Sequence, residues 1–296
     1  MNAPIMFNRR LSKSELDIWI DLLEQQTEFG HINKDLAMKF LTHDDTICFI
    51  SSVQNEPIGG TVIHRDRTRL GMILASVAVK DEYREQGAYS VIKSSLPFFK
   101  TVALRDVEAL IPDEPSDRKI GFPGSLELDY WTKEVLERIG FEIKGTLYSY
   151  TMRIEDVKNT RLTDNQWDTQ PELDKAKNLI WDTSKILGLT NSHIWTAFDF
   201  AMSQGLLRTI TEEDSTKLVT SIIELGASAI ISLVVSEEMF TEPASELIAE
   251  LIRESSATSI FFPLVGKGQT NLIETISDKL GGSLKRRSMT LLRRPL

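Results

Sequence analysis

The stretch that most constrains this chain is Val77-Ala-Val-Lys-Asp-Glu-Tyr-Arg-Glu-Gln-Gly-Ala-Tyr-Ser-Val-Ile92. An apolar run of β type over 72–79 ends in a polar turn. After Gly87 the apolar positions Val91, Ile92, Leu96 and Phe99 fall at helical spacing, which predicts a helix over 90–99. A strand, a short loop with glycine and a helix start form a seat for an anion. The N–H groups at a helix N-terminus have no partner in the chain, and the helix dipole points its positive end at them. Gly87 has no Cβ, so the backbone there can approach a phosphate closely. A turn followed by a helix, with no ligand, explains the same letters.

The segment resembles the pyrophosphate loop of the GNAT superfamily of acyl-CoA-dependent N-acyltransferases. The family pattern, Gln/Arg-x-x-Gly-x-Gly/Ala, reads here as Arg84-Glu-Gln-Gly87-Ala-Tyr89, after Val79-Lys-Asp-Glu-Tyr83. Tyr89 departs from it, standing where Gly or Ala is usual. The resemblance implies acetyl-CoA as acyl donor. Its pantetheine arm would pair with the backbone of Val77, Ala78 and Val79. Its pyrophosphate would lie on the loop of Arg84, Glu85, Gln86, Gly87, Ala88 and Tyr89, taking N–H groups from Gln86 to Tyr89. A backbone N–H on the strand would support the oxyanion. Arg84 either adds a charge contact to a phosphate or is a surface arginine.

The surrounding pattern keeps the family order. Helical segments over 14–25 and 34–41 precede a strand over 46–53, a turn at Gln54–Pro57 and a second strand over 58–63. Downstream come a strand over 107–111, a helix over 131–138, the step Ile139-Gly-Phe-Glu142 and an alternating strand over 147–153. The resemblance spans about 10–155. The expected fold class is α/β, a GNAT-like mixed sheet flanked by helices, in two tandem domains: a GNAT domain over 1–155, a polar linker over 156–172 and a degenerate GNAT-like domain over 173–296.

The second half repeats the order in weakened form. Helices are expected over 173–187, 191–202 and 214–225, then a strand over 229–235, a helix over 243–253, a strand over 259–262, a helix over 271–280 and a closing strand over 288–292. At the loop position it has Phe240-Thr-Glu-Pro243-Ala-Ser245. No glycine is present, Pro243 lacks an N–H, and Glu237, Glu238 and Glu242 repel a pyrophosphate, so this half is not expected to bind CoA there. Val265-Gly-Lys-Gly-Gln-Thr270 lacks the spacing of a phosphate-binding loop and reads as a turn before a helix. The basic residues Lys285-Arg286-Arg287 and Arg293-Arg294 read as a solvated edge strand.

With 296 residues, 41% of them hydrophobic, the chain can bury two cores. A net charge of −9 argues against a protein held to nucleic acid by phosphate contacts. Cys48 is the single cysteine; it excludes internal disulfides and a cysteine-based zinc site, and its neighbours Ile47 and Phe49 make it a core thiol. His31, His43 and His193 lack metal-ligand spacing, and no metal is expected. No signal segment or bilayer-length apolar run is present, so a cytoplasmic protein with no membrane partner is expected. It would be a monomer with pseudo-dimeric halves, or a homodimer.

The resemblance implies direct attack of an amine, from a small molecule or a peptide, on the thioester. Many relatives carry a carboxylate on the strand before the loop and a Tyr before the Leu-Gly-Phe step. Here Leu74-Ala75-Ser76 and Leu136 stand there. The substitutes are Glu108 as base and Tyr130 as acid. Glu108 also reads as a buried structural partner or an exposed strand carboxylate, and Tyr130 lies six residues before Leu136. Asp113, Glu114 and His64 are further candidates, each with a solvated reading. The long loop 112–124 is expected to shape the acceptor side. The alternative function is a CoA-binding or interaction module without turnover.

Overall fold

The computed structural model describes residues 6–25, 33–97, 104–115, 121–155 and 167–296. The end of the helix placed over 90–99, the middle of the loop 112–124, most of the linker and His31 lie outside the described residues. The chain divides into two compact units. The first comprises Met1–Gly145 together with Thr290–Leu296, and the second comprises Thr146–Met289.

In the first unit, β1 (Met6–Arg10) leads to α1 (Leu16–Glu24) and α2 (Lys34–Leu41). Both helices bury one stripe: Leu16, Trp19, Ile20, Leu22 and Leu23 in α1, and Leu36, Ala37, Phe40 and Leu41 in α2. Asn33 starts α2 by accepting a hydrogen bond from the Leu36 N–H at 3.0 Å. Then come β2 (Thr46–Val53), β3 (Glu56–Asp66), β4 (Gly71–Val79), α3 (Asp81–Ser95), β5 (Asp106–Pro112) and α4 (Thr132–Ile139). The β2–β3 hairpin turns on Gln54 and Asn55, both at positive φ, the geometry that follows strand twist. The sheet order is β1-β2-β3-β4-β5, and β5 has the end of the last strand on its other edge. β1 to β4 are antiparallel neighbours, whereas β4 and β5 are parallel.

Helices cover both faces of this sheet. Met72, Leu74, Val77 and Val79 of β4 share a core with Ala88, Val91 and Ile92 of α3 and Leu136 of α4. On the other face a Cβ at Gly60 would lie 2.5 Å from the Trp19 ring, so glycine there lets α1 seat its tryptophan. Phe40 of α2 stacks on His64 with ring centroids 5.4 Å apart.

After β6 (Glu142–Ile154), the second unit contains α5 (Leu173–Leu187), α6 (Ser192–Ser203), β7 (Leu207–Glu212), β8 (Ser215–Leu225) and β9 (Ser228–Ser236). It continues with α7 (Thr241–Ser255), β10 (Ser259–Val265), α8 (Thr270–Leu280) and β11 (Gly282–Pro295), whose last residues belong to the first unit. Its sheet order is β11-β6-β10-β9-β8-β7, with β9 and β10 parallel.

Four sequence readings change. The units part at 145/146 rather than at a linker after 155, because Tyr148–Arg153 of β6 pairs antiparallel with β10 inside the second unit. The segment read as a helix over 214–225 is the strand β8, and β7 beside it and β1 went unread. Finally, α3 starts at Asp81, well ahead of 90.

Candidate active site in the first unit

The β3–β4 ladder slips by one residue. Val62 faces Ser76 while Ile63 faces Leu74, which leaves Ala75 as an extra residue on β4. Such a bulge bends the strand and breaks its pairing locally. On its other edge β4 meets β5 only at Met72–Val107 and Ile73–Glu108. From Leu74 to Val79 that edge has no strand partner among the described residues, so β4 and β5 open as a wedge. Val77, Ala78 and Val79 are fully buried along it, with their β3 partners Thr61, Gly60 and Gly59 on the other side.

The expected phosphate loop is not a loop. Gln86, Gly87, Ala88 and Tyr89 lie within α3, so their N–H groups bond to carbonyls one turn earlier. The unshared donors sit at the helix start, beside the carboxylates of Asp81 and Glu82. Arg84 is held 2.8 Å from Asp81 and lies over the Trp131 ring at 5.1 Å. Tyr89 receives Arg138 and Lys93 on its ring, at 5.3 and 5.1 Å. Glu85 is exposed. A Cβ on Gly87 would meet Tyr83 Cβ at 3.5 Å and Met6 Cε at 3.8 Å, which is ordinary contact. Gly87→Ala is therefore expected to stabilise the protein by roughly 0.5–1 kcal/mol through helix propensity. Thermal unfolding reads this directly, and a lower midpoint in the variant would show that position 87 must leave the helix.

Glu108 is fully buried, and its Oε1 accepts from Arg69 Nη1 at 3.0 Å and from Arg293 Nε and Nη2 at 2.9 and 2.5 Å. An oxygen bound by three guanidinium N–H groups suits the structural reading of Glu108 rather than proton abstraction. Arg293 is correspondingly no solvated edge residue. Asp106, 3.6 Å from Arg293, has its carboxyl pushed up by burial and by Glu108 beside it. Tyr130 stands in the turn before α4 and is 45% exposed. The Asp113 carboxylate accepts a hydrogen bond from Thr290 Oγ1. Glu114 is exposed. His64 is buried and neutral: burial first, then His43, Arg65 and Arg67, lower its pKa to about 3. Burial raises the Cys48 thiol to about 12, which fits a core thiol. No group of three or more metal-ligating side chains occurs among the described residues.

Sequence reading missed one residue at the wedge. After Phe122-Pro-Gly124 the chain runs extended through Ser125-Leu-Glu-Leu128, all buried. Glu127 bridges Leu110 of β5 in parallel, and the Leu128 N–H donates to the Leu110 carbonyl at 2.7 Å. Phe122 anchors the segment edge-on against Phe40 at 5.1 Å. The signal was the polar–apolar alternation of those four residues, which follow directly on the long loop 112–124.

The second unit repeats the frame. Ser232 is the extra residue of β9, since Ser221 faces Leu233 and Ile222 faces Ile231. β9 and β10 pair only over Ser228–Ile230, then part. There the Gln269 carboxamide spans the opening: its Nε2 donates to the Val234 carbonyl, and its Oε1 accepts from the Gly266 N–H at 2.9 Å. Gly266 is glycine because a Cβ would fall 1.8 Å from the Leu187 carbonyl oxygen. That accounts for the Gly-Lys-Gly turn without a phosphate.

No family model and no curated protein matches the sequence. Solved structures do. A candidate acetyltransferase from Pyrococcus horikoshii superposes with a TM-score of 0.66 at 13% identity, over 98% of this chain and 89% of that one. A tandem GNAT protein from the clavulanic acid biosynthesis pathway gives 0.65 at 10% identity, over 98% of each chain. A GCN5-related N-acetyltransferase from Sphaerobacter thermophilus gives 0.57 at 11%, over 98% and 95%. No helix among the described residues is long and apolar enough to cross a membrane. With a bulged strand and a parting parallel neighbour in each half, and with these neighbours along its whole length, the chain has the tandem GNAT fold.

Proposed function

We propose that the first unit is an acyl-CoA-dependent N-acyltransferase that moves an acetyl group from acetyl-CoA to an amine. The observation that carries this reading is the free edge of β4 from Leu74 to Val79, bulged at Ala75 and facing a β5 that has turned away. An extended pantetheine arm can pair with that edge as a further strand would. Backbone N–H groups there are positioned for the developing oxyanion. Holding amine and thioester together in a dry wedge supplies much of the rate by proximity. The neighbours, named as acetyltransferases or GNAT proteins, support the same reaction class. The second unit, its wedge spanned by Gln269 and its α7 opening with Glu242 and Pro243, is proposed to bind no CoA.

A second reading has its own observation. The helical state of Gln86–Tyr89 engages the N–H groups a pyrophosphate would use, which favours an interaction module without turnover. Calorimetric titration of the full chain with acetyl-CoA, followed by thiol release with a panel of amines, separates the two. Binding with thiol release supports the enzyme. Binding without release leaves the module, and absence of binding overturns every CoA-based reading.

A further inference from the structure

A buried carboxylate, Glu127, stands on the other wall of the wedge. β5 has two edges. The end of β11 takes one, with the Leu296 N–H on the Arg105 carbonyl at 3.2 Å and Arg293 opposite Glu108. Residues 125–128, paired with Leu110, therefore lie on the edge that faces β4, beyond the last β4–β5 pair.

Strand alternation fixes which way the side chains project. Val107, Ala109, Ile111 and Leu128 belong to the core beneath α3 and α4. Leu110, and Glu127 paired with it, therefore project to the opposite face. On β4 that same core takes Leu74 and Val77, and Ser76, opposite Val62, projects away from it. Ser76 and Glu127 thus stand on the two walls of one wedge, on the same face of the sheet. Both are buried, at 2% and 8% exposure. The Ser76 hydroxyl has no hydrogen-bond partner among the described residues. A buried hydroxyl left unpaired is costly, and a bound polar ligand would offset that cost.

We infer that Glu127 is the general base of the first unit and that the Ser76 hydroxyl orients the amine. This assignment rests on the N-acyltransferase reading. The amine nitrogen attacks the thioester carbon and forms the C–N bond. Its proton passes to the Glu127 carboxylate. The C–S bond then breaks, the sulfur leaves with the electron pair, and the proton held by Glu127 returns through solvent to the thiolate. Amine and thioester give amide and thiol, with Glu127 restored.

The test uses the full chain with acetyl-CoA and the amine that gives the fastest thiol release. Glu127→Gln is expected to lower kcat by about 10²–10⁴-fold, the usual worth of a general base. The acidic limb of the kcat–pH profile should disappear with it, while acetyl-CoA affinity stays within about threefold. Ser76→Ala should raise KM for the amine more than it lowers kcat. Glu127→Asp keeps a carboxylate in the wedge and covers the case in which the amide variant does not fold: a reduced kcat with the acidic limb retained supports the assignment. A kcat in Glu127→Gln equal to wild type, or a Glu127→Asp profile without the acidic limb, overturns it while leaving the acyltransferase reading intact. A wild type that binds acetyl-CoA but releases no thiol overturns that reading, and this assignment with it.

Discussion

Glu108→Ala is expected to lower the stability of the first unit by about 3 kcal/mol, the lower end of the range for breaking a buried charge pair. The lower end applies because the stranded cations are not sealed in. The side chains of Arg69 and Arg293 are 15% and 25% exposed, whereas Glu108 is fully buried. Asp106 softens the loss further. Its carboxyl is pushed up partly by Glu108, so removing Glu108 leaves it a better partner for Arg293 at 3.6 Å. The effect remains large because Glu108 joins three parts of the chain: the β3–β4 turn through Arg69, β5 itself, and the chain end through Arg293. Urea unfolding of the full chain, with thiol-release activity measured in parallel, distinguishes the two roles open to this residue. A stability loss below about 1 kcal/mol with activity abolished would restore Glu108 as the base. A loss near 3 kcal/mol, with residual activity in the folded fraction, fits the ion-pair role.

The strand–helix order of the first half is legible because its apolar patterns are long and agree with their neighbours. The β2–β3 hairpin announces itself by Gln54-Asn55 between two β-branched runs, and α2 by Asn33 before an apolar stripe. The misread β8 has the opposite character. Leu218, Ile222 and Ile223 fit a helical stripe, but Thr216, Val219 and Thr220 are β-branched as well. The pairing on both edges, with β7 and β9, decides the matter, and pairing is not written in one segment. The turn that makes the hairpin, Glu213-Asp214, takes positive φ at both residues without the Asn-Gly signature, so β7 stayed hidden too.

The candidate site divides in the same way. Its backbone parts, the strand over 71–79 and its parallel neighbour, follow from local pattern. Asp81 and Glu82 are good first-turn helix residues, and they already pointed to a helix start nine residues earlier than the resemblance to a loop suggested. Glu108 is a strand carboxylate by sequence, and only the return of the chain end shows that Arg293 holds it. Glu127 is visible only once a loop is seen to run beside β5. A residue whose role comes from a contact 17 positions away in sequence has no local signal beyond its alternation.

Lowering the pH from 7 to about 4.5 is expected to cost the first unit roughly 2.5 kcal/mol through His64 alone. The imidazole is fully buried, its Nδ1 sits 2.9 Å from Thr46 Oγ1, and its Nε2 has no partner among the described residues. Burial lowers its pKa from 6.5 to about 3, and His43, Arg65 and Arg67 act in the same direction. Between those two values the unfolded chain carries a proton on His64 that the folded chain refuses. Stability therefore rises with pH across this window and is lost as pH falls through the unfolded value, at about 1.4 kcal/mol per unit. Once the pH approaches 3, the folded state protonates as well and the loss levels off. Asp45 is bound to Arg67 at 2.7 Å and to Arg65 at 3.5 Å, so its charge is already engaged. His64→Gln keeps a polar group beside Thr46 and cannot titrate, so its stability should fall by about 2.5 kcal/mol less than that of wild type over the same interval. Urea unfolding of both proteins at the two pH values gives the comparison as a difference of differences, in which carboxylates common to both cancel. Parallel pH profiles for the two proteins would mean that His64 is protonated in the folded state, and that the layer between α2 and the sheet admits water to it.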